Sequence, residues 1–379
     1  MERRQYLKVA GGAGVAAVGG YGLYTTMFRE ADWRPGNRGG ADWDEDFEAE
    51  PRDGWMLLGV GPSERGVETL DPFEAWLDKR HAVVGKFVDI GASEREIERI
   101  VYSLLETTWG RGQVPHLWWQ PFIPDRDSTS RNINRHIARG DHDDVIETWA
   151  KTLSEWAIVD DGPDRRVYLN LAPEMNGDWS PWGAGGAEED FVDMWRRVHD
   201  QVMAYGLDDS HVQWIWALDN TNVDADQEAL YPGDDYVDWV GVHGFNWVEW
   251  EPWQSAAELY GPTIDLLRSI TDHPLAVTEF GSSSETGDGH DPARKDEWIA
   301  DAYAFFKRAD VRMTLWFNND KETDWAVFNA ERGVQDVTVD GRSYDVYPAY
   351  RSAVTDDGVL GPYPDHPRVL TDEEFAGEF

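Results

Sequence analysis

Residues 167–206 read VYLNLAPEMNGDWSPWGAGGAEEDFVDMWRRVHDQVMAYG. A short apolar run, VYLNLAPE, leads through a glycine-bearing connection into an amphipathic stretch in which Phe191, Trp195, Val198 and Val202 recur at the spacing of a buried helical stripe. The run has the length of a strand and ends on a carboxylate, Glu174. The same strand-then-helix unit recurs along the chain. Further apolar runs stand at 55–61, 82–91, 114–119, 211–219, 237–247, 274–281 and 311–318, and helix-period segments at 93–108, 142–157, 255–270 and 291–308. Ser93 and Glu96 have the spacing of a capping box. Strands alternating with helices imply a parallel sheet, and a count of eight predicts an α/β fold, a single (β/α)8 TIM barrel, over an open sheet.

Length agrees, because 379 residues with 41% hydrophobic content suffice for one large core. The balance of 34 basic against 73 acidic residues, a net charge of −39, argues against nucleic acid as a partner. With 13% aromatic residues and 21 tryptophans the chain is not composed like a disordered one, so the acids form the solvated surface of a folded body. Molar salt shortens the screening length to about 3 Å and removes the self-repulsion. The composition thus resembles that of haloarchaeal proteins. The absence of cysteine excludes disulfides, thiolate metal sites and a cysteine nucleophile.

The N-terminus, MERRQYLKVAGGAGVAAVGGYGLYTTM, sets Arg3, Arg4 and Lys8 before a Gly/Ala/Val-rich segment that is short for a membrane span. RRQYLK looks like a twin-arginine export signal, so residues 1–30 are expected to be a signal or, if uncleaved, a membrane anchor. Export would make the protein secreted or cell-surface. Residues 31–54 read as an acidic linker, 55–350 as the catalytic barrel and 351–379 as a turn-rich tail.

Barrels of this kind carry their chemistry at the C-terminal ends of the strands. Two carboxylates stand there: Glu174 closes the fourth run and Glu279, in LAVTEFG, the seventh. Period-2 alternation puts Asn170, Ala172 and Glu174 on one face, and Leu275, Val277 and Glu279 on another, so both carboxylates are expected at the barrel mouth. Hydrolysis of a glycosidic bond needs such a pair, one protonated and one ionised. The plainer alternative is that each Glu only pairs with a nearby arginine or amide.

APEMNGDWSPWG, YPGDDYVDWVGVHGFNW, LAVTEFG and LWFNNDKETDW, in that order on strands four, six, seven and eight, resemble glycoside hydrolase family 26. The likeness covers roughly residues 55–350. Members of that family are retaining β-mannanases, mixed-linkage β-glucanases and β-1,3-xylanases, so the resemblance implies a cofactor-free enzyme acting on a β-linked polysaccharide. By position, Glu174 would be the acid/base and Glu279 the nucleophile. Asn176 would shape the turn after the acid, and Trp179 and Trp182 would offer flat faces to sugar rings. Trp316 would floor the subsite of the cleaved sugar, with Trp325 beside it. Asn246 and Asn318, in the same motifs, and Trp119 and Gln120, at the end of strand three, are further candidate sugar contacts.

Three positions depart from the family pattern. The family's HEMNG is PEMNG here, with Pro173; Asn170 stands where many relatives have arginine; Phe245 stands where a tyrosine usually hydrogen-bonds the nucleophile. His243, two residues earlier on the same strand face, is a candidate replacement donor or else an ordinary hydrogen-bonded histidine. These changes leave open a carbohydrate-binding protein without turnover, or an enzyme for the producer's own exopolysaccharide. DNTNVDADQE at 219–228 has alternating oxygen ligands but lacks an EF-hand's central glycine, and reads as a solvated loop. The ten histidines show no H-E-x-x-H or comparable spacing, so no metal site is expected.

Overall fold

The computed structural model describes residues 50–62, 66–184, 187–220, 225–364 and 366–379. The N-terminal segment read as an export signal, most of the segment read as a linker and the centre of the 219–228 loop lie outside the described residues. Among the described residues no helix is long and apolar enough to cross a membrane.

Eight parallel strands form the barrel: β1 Met56–Pro62, β2 Val83–Asp89, β3 Val114–Gln120, β4 Val167–Leu171, β5 Val212–Asp219, β6 Trp239–Asn246, β7 Leu275–Ser282 and β8 Val311–Asn318. Each pairs with its neighbour in sequence, and β8 also pairs with β1, Leu57 opposite Met313 through Pro62 opposite Asn318, so the sheet has no edge. Helices α1 Leu70–Leu77, α2 Glu94–Arg99, α3 Asp143–Ala157, α4 Glu188–Met203, α5 Ala256–Ile270 and α6 Pro292–Arg308 follow β1, β2, β3, β4, β6 and β7. The Ser93 capping box opens α2. After β5 the described residues hold only two 3-10 turns, Glu228–Leu230 and Asp234–Tyr236, because that polar, Pro- and Gly-bearing stretch has no apolar stripe to bury.

Burial on both faces makes the strands continuous apolar runs, and alternation then sorts side chains into two layers. Trp118 of β3 points inward and lies across the barrel. A Cβ at Gly85 of β2 would stand 2.3 Å from its ring and one at Gly61 of β1 2.9 Å, which is why those strands carry glycine there. Trp119 points outward and packs edge-on against Trp149 of α3, ring centroids 5.6 Å apart.

Beyond β8, strands β9 Gln335–Val339 and β10 Arg342–Val346 form an antiparallel hairpin, and α7 Pro348–Val354 leads to the tail. The tail is anchored under the N-terminal end of the barrel. Val359 and Leu360 pair with Met56 and Leu57 of β1, and α8, Asp372–Ala376, buries Phe375 against Tyr168, whose hydroxyl donates to the Phe375 carbonyl at 2.9 Å. The fully buried Arg166 guanidinium donates to the carbonyls of Leu370 and Thr371 and pairs with Asp372. Arg52 grips Glu374 with two nitrogens, at 2.7 and 3.0 Å.

Phe375 is the apolar plug of this arrangement. Phe375→Ala is expected to lower unfolding free energy by about 3–5 kcal/mol, measured by denaturant titration in concentrated salt. A loss below about 1 kcal/mol would mean that the tail is not part of the cooperative core.

Candidate active site

Glu174 does not stand on β4, which ends at Leu171, but in the turn beyond it. Ala172 and Glu174 both adopt left-handed backbone conformations, φ 46° and 59°, a strain of about 1–3 kcal/mol each. Neighbouring strands hold them there: Ala172 N–H donates to the Trp119 carbonyl at 2.9 Å and Glu174 N–H to the Ala217 carbonyl at 3.0 Å. The strained turn, more than simple alternation, brings the carboxylate into the barrel mouth. Trp179 folds back over Gly177, where a Cβ would lie 2.3 Å from the indole, and its Nε1 donates to Glu174 Oε2 at 2.7 Å.

Glu279 reaches the same place through a different irregularity. Val242 pairs with Val277 but His243 pairs with Glu279, so β7 carries one extra residue, Thr278. The bulge turns both Thr278 and Glu279 toward the interior, a correction to the face pattern expected from sequence. Thr278 Oγ1 lies 2.9 Å from His243 Nε2 and accepts from Asn170 Nδ2 at 3.3 Å.

His243 is fully buried and joins the two carboxylates. Its Nδ1 is 3.1 Å from Glu174 Oε1 and 3.5 Å from Glu279 Oε2. One donor atom from each of Glu174, His243 and Glu279 falls within 4.8 Å of the other two. Burial, and after it the charge of Glu174, push the Glu279 carboxyl well above the usual carboxylate range; Glu322 and Asp219 add to this and the Lys321 ammonium opposes it. The second cause is the repulsion between two carboxylates held within 4.8 Å of one another.

Around the pair, half-buried Phe245 meets Phe317 at 5.8 Å and Trp325 at 4.9 Å. Phe87, 37% exposed, stacks on Trp118 at 4.4 Å. Gln120 ends β3 and accepts from Arg126, which also grips Asp89.

Several expected sugar contacts are placed elsewhere. Trp119 lies between sheet and helices. Trp316 is fully buried, packed edge-on against Phe280 and Tyr350 in the outer layer, so the inward aromatic of β8 is Phe317. Trp182 is buried against Phe122 and donates to the Pro173 carbonyl at 2.8 Å, holding the turn. Asn176 exchanges two 2.8 Å bonds with the Asp219 backbone. Asn246 bonds Ser282 and the Gln254 amide, and Asn318 binds the backbone of Val327 and Phe328. Trp325 is buried behind Phe245. Each had its polar atom or ring committed by neighbours that the sequence alone does not reveal. Of the remaining candidates, Trp179 and His243 contact the carboxylates directly, Phe245 packs on Phe317 and Trp325, and Gln120 is held by Arg126. The sequence reading missed Thr278, Phe317 and Phe87; the alternation of β2 and β8 carried a signal for the two phenylalanines.

The profile of glycosyl hydrolase family 26 matches residues 130–280, which span both carboxylates. Endoglucanase H of Acetivibrio thermocellus is 24% identical over 283 residues, covering 71% of this chain and 28% of that protein. A beta-1,3-xylanase of an Alcaligenes species is 24% identical over 205 residues, 50% of this chain and 41% of that one. The chain therefore spans less than half the length of these curated relatives. Among solved structures, the catalytic domain of a Bacillus endo-beta-1,4-mannanase superposes with a TM-score of 0.60 at 16% identity, over 81% of this chain and 87% of that one. At that identity the likeness shows the fold.

A carboxyl whose folded pKa exceeds its unfolded value binds its proton more tightly in the fold, so its stabilising contribution is present at low pH and lost as pH rises from about 4.3 toward the raised value. Glu279→Gln removes this titration. The variant is expected to gain stability relative to wild type as pH rises through that window, by up to about 1.4 kcal/mol per pH unit, in denaturant unfolding from pH 4 to 7. A difference that stays flat with pH contradicts the raised carboxyl.

Proposed function

We propose that this chain is a member of glycoside hydrolase family 26 and an endo-acting hydrolase of a β-linked polysaccharide that works by double displacement with retention. The observation that carries the reading is the approach of Glu174 and Glu279 to within 4.8 Å across one barrel mouth. Retaining glycosidases hold their carboxyls about 5–5.5 Å apart, whereas inverting ones leave about 6.5–9.5 Å for a water.

In this reading Glu174, in its strained turn, hands a proton to the leaving glycosidic oxygen while Glu279 attacks the anomeric carbon. A covalent glycosyl-enzyme forms; Glu174 then takes a proton from water as that water displaces Glu279. Positive charge developing on the sugar favours ionised Glu279 at the moment of attack, against the burial that raises it in the free protein. His243 Nδ1, facing both carboxylates, stands in for the donor that Phe245 lacks. Phe87 and Phe317 present apolar faces to the sugar chain. The relatives' named activities, on glucan, xylan and mannan, bound the substrate class without choosing within it.

Export by the twin-arginine route and work in concentrated salt belong to the same proposal. They are supported by RRQYLK at the N-terminus and the net charge of −39.

Purified protein in molar salt is expected to release reducing ends from at least one of β-mannan, barley β-glucan and β-1,3-xylan, with the β-anomer as the first product in proton NMR. Glu174→Gln is expected to lower kcat/KM about 10²–10⁴-fold and Glu279→Gln at least as much. Sugar binding without any release of ends would favour a binding protein instead, and an α-anomer would reject retention.

A further inference from the structure

We propose that Glu174, His243 and Glu279 form a binding site for one divalent first-row transition cation of the Zn2+ type, and that the cation blocks the cleft. The sequence holds no metal-ligand spacing because the three groups come from the β4 turn, β6 and β7. Tertiary structure alone assembles them.

The donor atoms are close enough together for one cation to bridge them. Zinc sits about 2.0–2.2 Å from imidazole nitrogen and carboxylate oxygen, and a tetrahedron of that size has edges of about 3.3–3.6 Å. The Nδ1 of His243 stands 3.1 Å from Glu174 Oε1 and 3.5 Å from Glu279 Oε2. The third edge, between the two carboxylates, lies within 4.8 Å, and a bound cation would draw the two oxygens together to close it. Two carboxylates and an imidazole give a cation three protein ligands with the fourth position toward the cleft, the arrangement of open zinc sites.

The outer contacts also suit a metal. Ligating histidines hold their second nitrogen by a hydrogen bond, and here Nε2 is bonded to Thr278 Oγ1 at 2.9 Å. On Glu174 the indole of Trp179 occupies Oε2, which leaves Oε1 as the atom presented to His243. A dication also offsets the repulsion between two carboxylates held within 4.8 Å of one another, so charge favours its entry. The imidazole donor and the small number of oxygens disfavour calcium and magnesium, which take six or more oxygen ligands.

Binding stands independently of the hydrolase reading; inhibition rests on it, because the metal would occupy both reacting carboxylates. Zinc affinity is measured against a competing chelator in molar salt, where weak surface sites on so acidic a protein are screened. Wild type is expected to bind one high-affinity Zn2+ per chain. Glu174→Gln, Glu279→Gln and His243→Gln should each lose at least about tenfold in affinity, and Thr278→Val about 10–100-fold as an outer contact. Cobalt in place of zinc should give the intense visible bands of a low-coordinate ion in wild type and lose them in all three ligand variants; circular dichroism identifies any variant that fails to fold, and the two glutamine-for-glutamate changes, nearly isosteric, carry the test if His243→Gln does. Affinity within twofold of wild type in the folded variants overturns the site. So does hydrolysis unaffected by saturating zinc, whereas absence of hydrolysis with metal-binding intact would sink the hydrolase reading and leave the site.

Discussion

Two glutamates within 4.8 Å of one another, at the mouth of a closed barrel and against a buried imidazole, repel each other, and Glu279 is buried as well. A chain left to itself would move them apart. That they stay together depends on a scaffold that cannot relax: eight strands sealed by the β8–β1 pairing, packed on the inside by Trp118 and on the outside by helices. Local strain is then borne where it is useful. Glu174 sits at positive φ in a turn clamped by the carbonyl of Ala217, and Glu279 rides on a bulge.

The same constraint explains how tryptophan is used. Trp149, Trp195, Trp214 and Trp316 fill the layer between sheet and helices, where large flat rings make the barrel rigid. Trp179 is used differently, its indole hydrogen committed to the carboxylate. Phe87, Phe245 and Phe317, which pack on one another, bring apolar surface without adding a donor to compete for the glutamates. Phe245 has no hydroxyl; His243 faces both acids, itself held by Thr278 and Asn170, and Trp179 holds Glu174.

Much of the barrel was legible in the sequence because its elements are long and periodic. The stripe Phe191, Trp195, Val198 and Val202 forms the buried face of α4, and the eight apolar runs became the eight strands. The site was less so. Pattern identified Glu174 and Glu279 as strand-end carboxylates, but not the irregular backbone that aims them. It offered Trp119 and Trp316 to the cleft, whereas one-residue alternation sends them outward and their neighbours Trp118 and Phe317 inward. Asn176, Asn246 and Asn318 were polar and well placed along the chain, yet each is consumed by backbone groups that need partners in the turns.

Sequence alone determined the periodicities, hence the strands, the helices and their alternation, together with the acidic, cysteine-free composition and the two carboxylates at strand ends. These are local properties, fixed by spacing and residue type. Tertiary structure decided which groups meet: a histidine of β6 between acids from the turn after β4 and from β7, a threonine brought inward by one inserted residue, a tail folded under the barrel floor. The reason is that such contacts are settled by strand register and by competition for hydrogen-bond partners. Both depend on residues tens to hundreds of positions away, where no local pattern records them.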